Sequence, residues 1–390
     1  MRSAAETARA VTAGELDPVA VVQEALDAME EYAQLNAVLT VCAESALARA
    51  RGGVSGRLAG VPLLVKDLID VAGTRTTFGS RIYADRVATE TAPCVAALEA
   101  EGAIVVAKTN LDEFAWGVGG HNAHYGPVQN PLHPGRVTGG SSSGNGAALA
   151  VGMGALALGT DTGGSVRLPA AGCGVVGMKP ELGGISTDGV FPLAPSFDTV
   201  GPMARTVEDC ALAWSVLTGQ SLPEAVPEGK RVAELDRAPS LRGDEPAAAP
   251  GSLPVPEEDI WPVFNGEAAQ SHRATYPSRA EDYGDVIGPK LATAAATSAE
   301  ALATGYAALH QWRERAATQP LLDVIVSPVL GLDELPRIDV HESEFRVPFS
   351  AYARLFAFLG WASIAIGETQ LSARDSRTLF EVALAWPGQG

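Results

Sequence analysis

The chain has 390 residues, 46% of them hydrophobic, with 28 Lys+Arg against 46 Asp+Glu and a formal charge of −18. That apolar content suffices for a large buried core. The negative charge repels nucleic-acid phosphates and no Lys/Arg cluster offsets it, so no nucleic-acid partner is expected.

The N-terminus, MRSAAETARAVTAGEL, lacks the apolar core of a secretory signal. No apolar stretch approaches the ~20 residues a membrane span needs. Cys42, Cys94, Cys173 and Cys210 are widely spaced with no CxxC pair, which argues against a disulfide framework or a zinc site. A soluble cytoplasmic protein with reduced thiols and no membrane partner is expected.

Residues 3–51 read as helical, with Val19, Val22, Ala25, Leu26 and Met29 at helical spacing. Residues 61–65 and 103–107 read as strands, and 91–101 between them as a helix. Strand, helix, strand at this spacing predicts an α/β sheet. Residues 221–258 are rich in Pro, Ala and Glu and read as an exposed loop. Helices are expected over 257–276 and 297–317, strands over 321–326 and 363–366, and a last helix over 377–386. There are no repeats.

The chemistry concentrates at residues 139–146, GGSSSGNG. A Walker A loop needs Lys and then Ser or Thr after its last glycine, but Asn145 and Gly146 follow Gly144. Gly152-Met153-Gly154-Ala155 lacks the spacing of a dinucleotide fingerprint. Gly140 to Gly144 matches GxSxG with Ser142 central, yet a nucleophile elbow needs a strand running into it. Residues 130–136, NPLHPGR, are loop chemistry instead. His272, His310 and His341 show no triad role. His121, His124 and His133 lack a carboxylate to complete a metal site.

Downstream lies GTDTGGSVRLP, residues 159–169. Paired Gly163 and Gly164 open backbone conformations closed to other residues and let successive N–H groups point at one spot. Ser165 is then a candidate nucleophile, and a serine hydroxyl needs a base. Lys66, at the end of the apolar run 58–65, serves if burial keeps it neutral. The competing reading is a strand-end lysine reaching solvent or paired with Asp67. Asp161 and Arg167 flank the turn, either bracing it or forming an ordinary surface pair. Cys173 reads as a buried, inert thiol.

The block GGSSSGNGAALAVGMGALALGTDTGGSVRLPAAGCGVVGMKP (139–180) resembles the amidase signature family. So do LAGVPLLVKDLIDVAG (58–73), AKTNLDEFAWG (107–117) and FPLAPSFDTVGPMART (191–206). The resemblance is dense from about residue 3 to 220 and thinner beyond. It implies an α/β amidase signature fold: a large twisted mixed β-sheet core flanked by many helices on both sides. The chain 1–390 is then a single amidase domain. It comprises N-terminal helices 1–55, a signature core 56–220, a variable loop 221–258, and a helical and sheet-completing part 259–390.

The resemblance also implies a Ser–cis-Ser–Lys triad: Lys66 as base, Ser141 as relay, Ser165 as nucleophile. Ser141 lies 75 residues after Lys66 and 24 before Ser165. A cis peptide is expected at Ser141 or at its neighbour Ser142. The oxyanion donors are expected to be the N–H groups of Thr162, Gly163, Gly164 and Ser165. Ser142, Asp161 and Arg167 would support the site, and Ala115, Trp116 and Gly117 would touch substrate.

The implied reaction is hydrolysis of a small carboxamide, anilide or carbamate through an acyl-enzyme, with no cofactor and no metal. The implied partner is a small-molecule amide, and a homodimer stays open. Two alternatives stand beside this. One is the glutaminase-type A subunit of a tRNA-dependent amidotransferase; the other is a weakly active or degenerate amidase-fold scaffold. Residues 114–122, FAWGVGGHN, look closer to the general amidases. Three features depart from the family pattern: serine at 143 where glycine is commoner, a compressed stretch at 364–371, and a segment 232–255 short of a strand and a helix.

Overall fold

A computed structural model describes residues 2–226, 228–243, 253–318 and 323–387. Ten strands among them form one mixed sheet. In chain order they are β1 (Val38–Val41), β2 (Pro62–Lys66), β3 (Ile104–Thr109), β4 (Leu156–Asp161), β5 (Val176–Lys179), β6 (Thr199–Ala204), β7 (Val232–Glu234), β8 (Val324–Pro328), β9 (Ala362–Ile366) and β10 (Thr369–Ala373). Their spatial order is β1-β3-β2-β4-β6-β5-β9-β10-β8-β7. β2 runs parallel to both β3 and β4, while β6 returns antiparallel to β4.

The central strands β2, β3 and β4 are buried along their whole length. Both sheet faces are covered, which is why PLLV and IVVA read as continuous apolar runs rather than alternating ones. Leu63 and Val65 join a core that holds Leu98 of the helix Pro93–Ala100 and Trp214 of the helix Val207–Thr218. Leu64 points to the opposite face and packs with Ala147 and Ala148 of the helix Ser143–Ala150. Side chains alternate along a strand, so Lys66 shares the face of Leu64. A third, aromatic-rich core gathers Trp312, Phe356 and Phe358 from the later helices.

Several expectations shift. Residues 3–51 are three helices, Ala4–Thr12, Pro18–Glu31 and Ala43–Arg51, with β1 interposed. The β-branched Val38, Thr40 and Val41 gain an antiparallel partner in β3, a tertiary contact that helical spacing upstream could not signal. The helix expected over 257–276 is only Trp261–Ser271. Those expected over 297–317 and 377–386 are Ala299–Thr318 and Ser376–Ala383. The strand expected over 321–326 is β8, with residues 321 and 322 outside the described part.

Within the expected loop 221–258, β7 pairs in parallel with β8 and forms a sheet edge; residues 227 and 244–252 of that loop lie outside the described part. The compressed stretch 364–371 is a tight hairpin between β9 and β10. Gly367 takes φ 57 in its turn, the left-handed geometry such hairpins require. Among the described residues no helix is long and apolar enough to cross a membrane.

Candidate active site

Lys66 is the last residue of β2 and is fully buried. Its Nζ donates to Ser141 Oγ at 2.8 Å and to Thr160 Oγ1 at 2.8 Å. Asp67 is not its partner. The Asp67 carboxylate accepts from Lys108 Nζ at 2.9 Å and from the Thr77 N–H and hydroxyl at 2.8 and 2.6 Å. Burial pulls the Lys66 ammonium down to about 7, against the opposing pull of Asp112, Asp161 and Asp198. At neutral pH a large share of Lys66 is therefore uncharged.

The serine run sits where several close contacts meet. The Gly140–Ser141 peptide is cis. Ser142 donates from its N–H to Ser165 O at 3.0 Å and from its Oγ to Thr160 O at 3.3 Å. These bonds hold the Ser141 loop against the end of β4 and the turn that follows. The helix Ser143–Ala150 starts at once, and its glycines reflect crowding. A Cβ on Gly144 would lie 2.4 Å from Ala37 O, and one on Gly140 only 2.0 Å from Asp112 Oδ2. Asn145, next in the helix, donates to Leu158 O at 2.9 Å and accepts from Thr109 Oγ1 at 2.6 Å. Ser143 is buried at the start of this helix, its hydroxyl without a partner among the described residues.

The turn after β4 is braced by a buried ion pair. Arg167 donates through Nε to Asp161 Oδ2 and through Nη2 to Oδ1, both at 2.9 Å, and neither side chain is exposed. This rules out the surface-pair reading. Burial alone would raise the Asp161 carboxyl, but Arg167 outweighs it and holds the group below its usual range. The same carboxylate accepts from Gly164 N–H at 2.7 Å and Val166 N–H at 3.1 Å. The Gly164 N–H is thus already committed, which corrects the expected donor set of the oxyanion hole. Thr162, Gly163 and Ser165 face an open cleft instead.

That cleft has a volume of about 570 Å³, and Ala115, Trp116 and Gly117 form part of its wall. Phe114 and Ala115 hold left-handed φ of 50° and 59°, a conformation costly for residues with a Cβ. The surrounding bonds enforce it: Phe114 N–H donates to Phe78 O at 2.8 Å and Ala115 N–H to Asp112 O at 2.9 Å. Lys290 Nζ reaches Trp116 O at 2.6 Å and pairs with Glu342 at 2.7 Å.

Three site groups escaped sequence reasoning. Thr160 is the second acceptor for Lys66. Asp198 accepts from Thr162 Oγ1 at 2.6 Å and from the N–H groups of Leu193 and Ala194 at 2.9 and 3.0 Å. Asp112 is buried beside Gly140 and is pushed up to about 7, by burial first and then by Glu342. All three lie inside motif segments, within GTDTGGS, PSFDTV and NLDEFAWG, but no spacing rule marks them. The histidines of 121–133 do not converge as one set: His121 Nε2 meets Ile338 O at 2.7 Å, while His124 Nε2 meets Glu113 at 2.8 Å.

A family model described as Amidase matches residues 20–235, more than half of the chain. The glutamyl-tRNA(Gln) amidotransferase A subunit of Deinococcus radiodurans is 44% identical over 230 residues, covering 57% of this chain and 48% of that protein. That of Symbiobacterium thermophilum is 42% identical over 273 residues, covering 67% and 55%. The chain spans about half the length of the curated relatives it matches. In three dimensions the likeness runs further. A crystal structure of an amidase superposes with TM-score 0.84 at 28% identity, covering 98% of each chain. A structure described as a vestigial complex revealing the origins of an s-triazine catabolic enzyme gives TM-score 0.86 at 26% identity, again over 98% of each chain.

Proposed function

The chain belongs to the amidase family, and from that premise we propose that it cleaves the C–N bond of a small amide with Ser165 as nucleophile, Ser141 as relay and Lys66 as base. The observation that carries this is the buried Lys66 with its Nζ 2.8 Å from Ser141 Oγ. When Lys66 is neutral the contact reverses, and the Ser141 O–H donates to the Nζ lone pair. Ser165 attacks the carbonyl as its proton passes to Ser141 and that of Ser141 to Lys66. The N–H groups of Thr162, Gly163 and Ser165 hold the developing oxyanion. Lys66, now charged, returns the proton through Ser141 to the leaving nitrogen, and ammonia or an amine departs. Water then cleaves the acyl-enzyme through the same relay. Asp161 and Arg167 keep the turn in place, and Ser142 ties it to the relay loop. Carboxamides, anilides and carbamates all fit this chemistry, and no step calls on a metal or a cofactor.

A second reading has a specific observation behind it. The curated relatives quoted above are amidotransferase A subunits, matched at 42% and 44% identity, which favours a glutaminase half-reaction feeding ammonia to a partner. The stand-alone reading draws on the amidase structure that superposes over 98% of each chain. The two share every step to the acyl-enzyme. They differ in substrate and partner; of the cleft wall, Trp261, Lys290, Glu342 and Arg354 lie beyond the residues the family model matches.

A fluorophosphonate probe tests the shared chemistry. It should label wild-type protein on Ser165 and leave Ser165→Ala unlabelled; well-folded wild type that resists the probe would sink the proposal. Ammonia release by the purified chain then separates the readings. Turnover of simple amides without any partner favours the stand-alone enzyme, and turnover of glutamine alone favours the amidotransferase reading.

A further inference from the structure

One buried carboxyl beside the relay has no part in the reaction so far. Asp112 is 2% exposed, and among the described residues no lysine, arginine or histidine forms an ion pair with it. Its carboxylate accepts from backbone instead. Oδ1 takes the N–H groups of Gly120 and His121 at 3.2 and 3.0 Å, and Oδ2 takes that of Gly120 at 3.1 Å.

Two glycines make room for this carboxylate. A Cβ on Gly117 would lie 2.4 Å from Oδ1, and one on Gly140 only 2.0 Å from Oδ2. Gly140 precedes the relay serine and Gly117 lines the cleft, so the carboxylate is wedged between the relay loop and the cleft wall. The backbone repeats the link. Asp112 N–H donates to Ser141 O at 3.3 Å, and Asp112 O accepts from Ala115 N–H at 2.9 Å.

The same wedge places a negative charge near the base. Burial lowers Lys66, and of the acids that oppose this Asp112 leads, ahead of Asp161 and Asp198. Asp161 is paired with Arg167, whereas Asp112 has no such counter-ion. A charge left unpaired in a water-excluded site is felt strongly by its neighbours. Asp112 in turn is raised by burial and by Glu342, and lowered by His121, Lys290 and the Gly120 N–H.

We propose that Asp112 is a positioning residue of the reaction: its carboxylate fixes the Ser141 loop against the cleft wall and supplies the negative charge that stabilises Lys66 once the relay has delivered a proton. The proposal rests on the reading of Ser165, Ser141 and Lys66 as one relay. Its electrostatic half can be measured without turnover.

Asp112→Asn is the test, because an amide oxygen at the Oδ1 position keeps both N–H bonds made there and only the charge is lost. Lys66 is one of five lysines in the chain, so carbon NMR of protein labelled at lysine Cε follows its titration directly. Loss of the negative charge disfavours charged Lys66, and its midpoint should fall by about 0.5 unit or more, with the rise of kcat/KM moving alongside. An unmoved midpoint in folded Asp112→Asn overturns the proposal even if turnover drops, since a purely structural role costs turnover without moving Lys66. Asp112→Ala also removes the N–H acceptors, and its Ser165 should react with fluorophosphonate at least about tenfold more slowly than that of Asp112→Asn. Equal rates overturn the positioning half. Should the Asp112 variants fail to fold, Glu342→Gln gives a prediction of opposite sign. Without Glu342 the Asp112 carboxyl ionises more readily, so the Lys66 midpoint should rise; an unchanged or lower midpoint overturns the proposal. A wild-type chain that neither cleaves amides nor takes up the fluorophosphonate sinks the hydrolase reading, while the effect of Asp112 on Lys66 still stands or falls by the NMR titration.

Discussion

Lys66 Nζ donates to Ser141 Oγ at 2.8 Å across 75 residues of sequence, and both side chains are fully buried. A lysine in that position accepts a proton only when it starts neutral. Burial lowers it to about 7. Above that value the uncharged form dominates and the relay runs; below it Lys66 is charged and has no lone pair to offer. The dependence of kcat/KM on pH should therefore rise through a single ionisation near 7 and level off on the alkaline side. A profile that is flat from about pH 5 to 9 would remove Lys66 from the role of base.

Thr160 accepts from the same Nζ at 2.8 Å. Thr160→Val keeps the shape of the side chain and deletes this acceptor. The charged form of Lys66 loses more than the neutral form, so the apparent pKa of the activity profile should move down. Stability should drop by about 1–3 kcal/mol for the buried donor left unpaired. Comparing the two pH profiles and the two denaturant titrations checks both parts. An unmoved midpoint would show that Thr160 does not tune the lysine.

Ser141→Ala removes the link and leaves Lys66 and Ser165 in place. Turnover should fall by about 10²–10⁴, and stability should drop by about 1–3 kcal/mol, as in Thr160→Val, because the same buried Nζ loses an acceptor. The rate of Ser165 phosphonylation should drop in parallel. A variant with near wild-type turnover would mean that Lys66 reaches Ser165 by another route.

Asp161→Asn leaves Arg167 buried without its carboxylate and weakens the acceptor for the Gly164 and Val166 N–H groups. Breaking one side of a buried pair costs about 3–5 kcal/mol. The expected result is a markedly lower denaturation midpoint together with loss of activity, since the turn carrying Ser165 loses its brace. Wild-type stability in this variant would mean that the pair is not structural.

Gly163 and Gly164 should respond differently to alanine. A Cβ on Gly163 meets only Arg354 Cγ at 3.9 Å, an ordinary contact. Gly164 has φ 120, and its Cβ would lie 2.7 Å from Ala353 Cβ. Gly163→Ala should fold with wild-type stability, and Gly164→Ala should lose stability and activity together. Circular dichroism melts of the two variants check this, and equal losses at both positions would contradict the packing described.

The sequence by itself determined the family, the α/β class and the segments that carry Lys66, Ser141 and Ser165. Those segments are legible because their demands are local and severe. Gly140 and Gly144 admit no Cβ beside Asp112 Oδ2 and Ala37 O, and PLLVK is apolar because β2 is covered on both faces. Tertiary structure alone decided the rest. It turned residues 38–41 into an edge strand by supplying β3 as a partner, and built β7 into a segment that reads as loop. It gave Lys66 a further acceptor in Thr160, kept Asp67 for Lys108, and took the Gly164 N–H for Asp161. It also set Arg354 against the nucleophile turn and Trp261 against Arg354, from helices well over a hundred residues beyond Lys66. Hydrogen-bond partners and cleft walls depend on which distant groups burial brings within about 3 Å, and no local pattern of residues encodes that choice.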